Sequence, residues 1–245
     1  MTCFQQTRRI DPALLPDVWR GSDLARETAT VATGHADLDA QLPGGGWPVG
    51  GLIEVMHRTP VQHVWRLVLP GLRERMTTNH GPAVLVGAPL HPFGPSLKHQ
   101  GLSTERLLSI HAETAALRLW ATEQALRCAH LAAVLAWIPV ARNEELRRLH
   151  LAAQRHGCLL FVFRPDRSRH EASPAVIRLC VQGIDVMEIE ILKRRGPPVG
   201  APVVLPSTAP RLAALLQSRR SNRSANNPRT ESERSHVLDR TAAIQ

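Results

Sequence analysis

The sequence predicts an α/β domain in which a mostly parallel sheet is flanked by helices and finished by an antiparallel strand pair. Three observations predict it. From Leu52 to Phe163, short apolar runs alternate with segments whose apolar residues recur every three or four positions, and parallel neighbours need such crossover connections. A Gly/Pro cluster from Pro43 to Gly51 leads directly into the first apolar run. Finally, Val176–Val181 and Val186–Lys193 alternate apolar with polar residues and lie close together, as strands of an antiparallel pair do. The 245 residues suffice for one principal core.

Residues 1–30 form a helical preamble, with one piece at Ala13–Trp19 interrupted by Pro16 and anchored by Trp19. The core domain is expected over 31–196. Leu52–Met56 is its first buried strand. In Val61–Thr77 the residues Val64, Trp65, Val68, Leu69, Leu72 and Met76 have helical spacing, and Pro70-Gly71 should kink or divide that helix. The alternation continues with a strand at Ala83–Gly87, a short helix at Pro95–Gln100, a strand at Leu107–His111 and a helix at Glu113–His130. A strand at Leu131–Ile138 follows, then a helix at Glu144–His156 bearing Leu146, Leu149 and Ala153 on one face, and a strand at Cys158–Phe163. The antiparallel pair then closes the sheet edge. Residues 197–245 read as a Pro-rich linker and a basic, largely disordered tail: five prolines fall between Gly196 and Pro210, and 218–236 is nearly devoid of apolar residues.

Thirty basic against twenty-one acidic residues give a formal charge of +9, which suits nucleic acid or an acidic protein partner. Lys98 and Lys193 are the only lysines, and a compositional bias of the genome would also produce that arginine excess. Residues 206–245 carry seven arginines and three acids. There Arg211, Leu212, Leu215, Leu216 and Arg219, with Arg220, give an apolar stripe flanked by charge if the segment turns helical on a partner. The other reading is a frayed helix packed on its own domain. Trp47, between Gly46 and Pro48, either plugs the domain's own groove or meets a partner. Trp65, Trp120 and Trp137 stand at apolar positions of helices or strands and read as core. Cys3, Cys128, Cys158 and Cys180 are too far apart for a zinc or disulfide framework and read as reduced thiols, mostly in the core. The longest apolar run, Leu131–Val140, cannot span a bilayer, and Met1–Pro12 lacks a signal-peptide stretch. The expected location is the cytoplasm, without membrane contact.

A Gly-rich loop, a strand and a helix followed by further alternation are the usual setting of a phosphate-binding loop. That loop needs glycines for its backbone cradle, a lysine for the β/γ-phosphates and Ser or Thr for magnesium. After Met56 the chain instead reads His57-Arg58-Thr59-Pro60-Val61-Gln62-His63-Val64, with neither glycine nor lysine. The strand ending Ala136-Trp137-Ile138-Pro139 offers no carboxylate for a metal's water shell. Val84-Leu85-Val86-Gly87 likewise offers none to orient an attacking water. His111-Ala112-Glu113 has the spacing of a zinc deaminase but no Pro-Cys-x-x-Cys follows. No catalytic, cofactor-binding or metal-ligating residue is assigned, and the expectation is a binding protein, not an enzyme.

The segment Thr33-Gly34-His35-Ala36-Asp37-Leu38-Asp39-Ala40-Gln41-Leu42-Pro43-Gly44-Gly45-Gly46-Trp47-Pro48-Val49-Gly50-Gly51-Leu52-Ile53-Glu54-Val55 resembles the opening of the ImuA family of translesion-synthesis-associated proteins. Further matches are Leu15-Pro16, Trp19-Arg20-Gly21, Glu123-Gln124-Ala125-Leu126-Arg127, Ala133-Val134-Leu135-Ala136-Trp137, Leu149-His150-Leu151-Ala152-Ala153, Phe163-Arg164-Pro165 and Ile191-Leu192-Lys193-Arg194-Arg195-Gly196. They reach from about residue 12 to 200. The resemblance implies a RecA-like (P-loop NTPase-type) core with a degenerate nucleotide loop, shared more distantly with the SulA division inhibitor. It implies an accessory protein of SOS mutagenesis whose partners are ImuB, a Y-family-like protein, and RecA, with an error-prone C-family DNA polymerase served indirectly. A SulA-type inhibitor of the cell-division GTPase is the alternative, and weak nonspecific DNA contact is the further possibility that the arginines raise.

Overall fold

The computed structural model describes residues 29–58, 63–183 and 186–206. A two-stranded antiparallel ribbon, β1 (Thr30–Val31) with β2 (Trp47–Pro48), brackets the single-turn α1 (Ala36–Asp39). Then come β3 (Leu52–His57), α2 (Val64–Thr78), β4 (Ala83–Val86), α3 (Gly94–His99), β5 (Leu107–Ile110), α4 (Ala115–Arg127), β6 (Ala133–Trp137), α5 (Asn143–His156) and β7 (Leu159–Pro165). A 3-10 turn, Asp166–His170, leads to β8 (Ile177–Gln182), β9 (Val186–Lys193) and β10 (Val203–Pro206). The main sheet has the order β10-β9-β8-β3-β7-β6-β4-β5.

Strands β8, β3, β7, β6, β4 and β5 are mutually parallel, and β9 runs antiparallel to β8. The chain moves one way across the sheet from β3 through β4 to β5, then back through β6 and β7 to β8. Right-handed crossovers turn that reversal into a change of face. Accordingly α2 and α3 pack in one apolar cluster with Ile53, Val55, Phe161 and Phe163, while α4 and α5 pack in the other with Leu52, Val134, Leu160 and Val162.

Three elements differ from the sequence expectation. The helix at 64–78 is not divided at Pro70. Proline removes one N–H and so frees the Arg66 carbonyl four residues back, and the His35 ring Nε2 donates to that oxygen at 3.1 Å. The antiparallel pair is not the sheet edge, since β8 lies beside the central β3 and β10 stands outside β9. That outer strand sits inside the stretch read as linker; it is only four residues long, and prolines at its boundaries suit an edge position, where an unmade ladder bond costs little. The compact unit of the chain reaches Leu205, not 196. The preamble at Ala13–Trp19 and the tail beyond 206 lie outside the described residues.

Aromatic rings build the α2 face. Trp47 meets Phe161 edge-on at 5.2 Å, Phe161 stacks with Phe163 at 6.3 Å, Phe163 with Trp137 at 4.6 Å, and Trp137 tilts against Trp65 at 6.4 Å. This column runs from the ribbon to the first turn of α2. One glycine makes room for its first ring and another lets the ribbon backbone close up beside it. A Cβ on Gly71 would stand 2.7 Å from Trp47 Cδ1, and one on Gly46 would stand 2.2 Å from the Val31 carbonyl oxygen.

The opposite face of the same central strand carries charge. Glu54 is fully buried and accepts from two arginines: Arg164 Nη1 to Oε1 at 3.0 Å and Arg178 Nε to Oε2 at 2.7 Å. Their remaining donors reach outward, from Arg164 Nη2 to Glu171 Oε2 at 2.7 Å and from Arg178 Nη2 to the Ser168 carbonyl at 2.9 Å. The bond from Arg164 holds the Glu171 carboxyl below the usual carboxylate range. Strands β7, β3 and β8 and the 3-10 turn are thereby tied to one carboxylate. Removing one member of a buried charge network strands the others and costs about 3–5 kcal/mol. Glu54→Ala is expected to lose that much in urea unfolding; a loss near that of an ordinary surface substitution would show that the arginines find water instead.

Candidate functional site

In open α/β sheets, ligands and partners meet the carboxyl ends of the strands where neighbouring connections leave for opposite faces. Three adjacent pairs do so here, β3 with β7, β4 with β6, and β4 with the edge strand β5; the first two lie inside the sheet. The β3 end is His57-Arg58, and α2 begins at Val64 behind His63. The four residues between Arg58 and His63, which carry the rest of the expected loop, lie outside the described residues.

At the first crevice Arg58 Nε faces Asp166 Oδ2 at 3.6 Å across the β3 and β7 ends. His63, in a left-handed conformation at φ 62°, makes no side-chain cap to α2; its Nε2 lies 2.9 Å from the Gly183 carbonyl oxygen beyond β8. His57 is buried, and neither ring nitrogen meets a hydrogen-bond partner among the described residues. Burial pulls its pKa below the ordinary histidine value. Trp65 closes the aromatic column at this end of α2.

At the second crevice the sequence reading asked for a carboxylate and found none. The structure puts a guanidinium there. Arg118 of α4 donates from Nε to the Ala112 carbonyl at 2.8 Å and from Nη1 to the Trp137 carbonyl at 3.1 Å, while its chain lies against Gly87 at the β4 end. A positive charge held at the ends of β4 and β6 opposes a metal cation there. Spacing alone could not reveal it, since Arg118 sits in a helix and joins the strand ends only in the fold.

Neither lysine approaches either crevice; Lys98 Nζ faces Glu105 at 3.9 Å and Lys193 Nζ donates to the Ser173 carbonyl at 3.0 Å. His111 and Glu113 are exposed, 3.9 Å apart, and no group of three His, Cys, Asp or Glu is placed to hold a metal among the described residues. Burial pushes the Cys158 and Cys180 thiols up to about 12, with an Asp166 oxygen 3.1 Å from Cys180 Sγ adding to the second. Such thiols are poor nucleophiles at neutral pH. Cys128 is exposed, and Cys3 lies outside the described residues.

Of the residues singled out for partner binding, Trp47 is wholly buried. The structure selects the first of its two readings: the ring plugs the domain's own groove and is not available to a partner. Arg211, Leu212, Leu215, Leu216, Arg219 and Arg220 lie outside the described residues. Trp137 is core and Trp65 packs partly against it, but Trp120 is 62% exposed, which corrects its assignment to the core. The stretches that carry the family resemblance serve structure. Asp39 Oδ1 accepts from the Thr33 N–H at 2.8 Å, Leu38 is fully buried, and Glu54 and Arg164 are partners in the buried network.

No family model matches the chain. It is 29% identical over 160 residues to Protein ImuA of Caulobacter vibrioides, covering 61% of this chain and 64% of that one; the same protein from a second strain matches equally. The chain resembles ImuA. It is also 28% identical over 114 residues to the cell division inhibitor SulA of Photorhabdus laumondii, covering 46% of this chain and 63% of that one. The chain thus spans less than two thirds of the length of each of these curated relatives. Among the described residues no helix is long and apolar enough to cross a membrane.

Two histidines, His57 buried and His150 half-buried, give the domain a pH response. His150 Nδ1 accepts from the Leu52 N–H at 3.1 Å, and its pKa is lowered first by burial and then by Arg147 and Lys193; His57 shifts the same way. Both are neutral in the folded and unfolded chain above ~6.5, so their full contribution is present there. Below it the unfolded chain takes up protons first, and stability falls until the folded groups also titrate. The melting temperature is expected to drop between pH 7 and pH 5. In His150→Asn, which keeps an acceptor near the Nδ1 position, the drop should be shallower; an unchanged slope would remove His150 from the account.

Proposed function

We propose that this chain is a non-catalytic accessory protein of SOS-induced, error-prone translesion DNA synthesis, built on a RecA-like core with a degenerate nucleotide loop. It acts by binding an ImuB-type Y-family-like protein, RecA, or both. The single observation that carries this reading is the similarity to ImuA. The β3–α2 connection supports it, having no lysine and no glycine where a phosphate would be cradled, as does the guanidinium at the β4 and β6 ends.

The action would be mimicry. A domain with the outline of a RecA protomer but without nucleotide chemistry docks on a filament end or on ImuB, and so alters the access of an error-prone C-family polymerase. Contact with DNA is weak, nonspecific and steeply salt-dependent, since the exposed arginines meet phosphates without a base-reading motif. The similarity to SulA favours a second reading, an inhibitor of the cell-division GTPase. Pull-down of the purified chain against ImuB, RecA and the cell-division GTPase separates them: retention of the first or second supports the translesion reading, and retention of the GTPase alone supports the other.

Calorimetry is expected to give no stoichiometric ATP binding; micromolar affinity at one site per chain would overturn the degenerate-loop reading.

The tail carries part of the partner contact. A segment that orders on binding must offset its ordering entropy through a few apolar anchors. Deletion of 206–245, or Leu215→Ala with Leu216→Ala, should weaken ImuB retention about tenfold while the core melts as before. Unchanged retention would move the contact to the core.

A further inference from the structure

The outer side of α5 has no cover among the described residues. Leu146, Leu149 and Ala153 turn inward, and residues 144, 147, 148, 151 and 155 follow the opposite side at helical spacing. There Leu151 is 51% exposed. Arg147, Arg148 and Arg155 are exposed and make neither a side-chain hydrogen bond nor an ion pair among the described residues. Glu145 is committed to the start of the helix, where its Oε2 accepts from the Arg142 N–H at 2.7 Å. Glu144 is thus left beside three uncommitted arginines.

The chain enters the domain beside this helix. Ala29 is the first described residue, and its carbonyl accepts from the Val49 N–H at 2.8 Å. The next residue, Gly50, lies against the last turn of α5: its N–H donates to the Cys158 carbonyl at 3.0 Å, and a Cβ on it would stand 3.3 Å from Gln154 Cα. Residues 1–28 therefore join the domain near the carboxyl end of α5.

The sequence of that segment matches the face. Asp11-Pro12 is a helix-start signal, and Ala13–Trp19 carries Leu14, Leu15, Val18 and Trp19 with Asp17 and no basic residue. Nine residues separate Trp19 from Ala29 and can span about 30 Å, whereas α5, with 14 residues, is about 21 Å long. The whole outer stripe is within reach. A phosphate backbone would ask for one sign throughout, and Glu144 and Glu145 break it. We infer that residues 11–19 of this same chain cover the outer side of α5, with their apolar side chains on Leu151 and with Asp11 and Asp17 toward Arg147, Arg148 and Arg155. This cover needs no partner, and it stands or falls apart from the translesion reading.

Hydrogen–deuterium exchange of the full chain, read by mass spectrometry, tests it. The amides of residues 13–19 are expected to exchange about tenfold or more slowly than in a free peptide of the same sequence. Leu151→Glu, and separately Arg148→Glu with Arg155→Glu, should release that protection. The amides of β3, β6 and β7 should exchange as before in both variants, because all three substituted side chains are exposed. Exchange of 13–19 at the free-peptide rate, or protection that ignores the α5 substitutions, overturns the proposal. So does protection that appears only as the protein concentration rises, which gives the face to a second copy, or only when a single-stranded oligonucleotide is added, which gives it to nucleic acid.

Discussion

A carboxylate in the middle of a sheet has no water to answer its charge, and Glu54 is answered by two guanidiniums from the strands on either side. The arrangement constrains more than its own neighbourhood. Arg164 and Arg178 have donors to spare after Glu54 is satisfied, and these hold Glu171 and the Ser168 and Arg169 carbonyls of the 3-10 turn. The segment that carries the chain from β7 across β3 to β8 is therefore fixed by charge where the other crossovers are fixed by apolar helices. This polar covering is not complete: Arg164 Nε and Ser168 Oγ are buried without a hydrogen-bond partner among the described residues, and each such group carries a desolvation cost.

The other side of β3 uses no charge at all. Its rings form a column from Trp47 to Trp65, so the ribbon and the first turn of α2 share one packed row. The crevices at the strand ends sit between these two regimes. Their chemistry is positive and already engaged: Arg58 with Asp166, Arg118 with two carbonyls. Arg75 and Arg106 likewise spend their donors on carbonyls, at Gly157 and around the end of α2. Among the described residues much of the arginine excess thus serves as internal hydrogen bonding, while Arg147, Arg148 and Arg155 of α5 make neither a side-chain hydrogen bond nor an ion pair.

The parallel strands were legible because burial on both faces leaves continuous apolar runs such as Ala133–Trp137, which no other element of that length produces. The helices of the sheet followed from their period. What period could not show was direction in space. Trp120 occupies a helical position indistinguishable by letter from a core one and points outward, whereas Trp47, in a glycine loop, points in. β10 was hidden by its prolines, and the continuity of α2 by a histidine 35 residues before the proline it compensates. Glu54 and Arg164 could be picked out through the resemblance, but their pairing spans 110 residues and belongs to the fold. The tail residues from Arg211 to Arg220 lie outside the described residues.

The same separation sets a timetable for synthesis. β3 leaves the ribosome early, yet its two neighbours begin at Leu159 and Ile177. At about 5–20 residues per second, a wait of roughly 5–20 s passes before either can pair with it. During that interval a six-residue strand bearing a carboxylate has neither of its sheet neighbours, although every element from α2 to α5 emerges meanwhile. Sheets closed by such distant contacts form slowly. Arg164 with β7 and then Arg178 with β8 reach, one after the other, a glutamate made in the first quarter of translation.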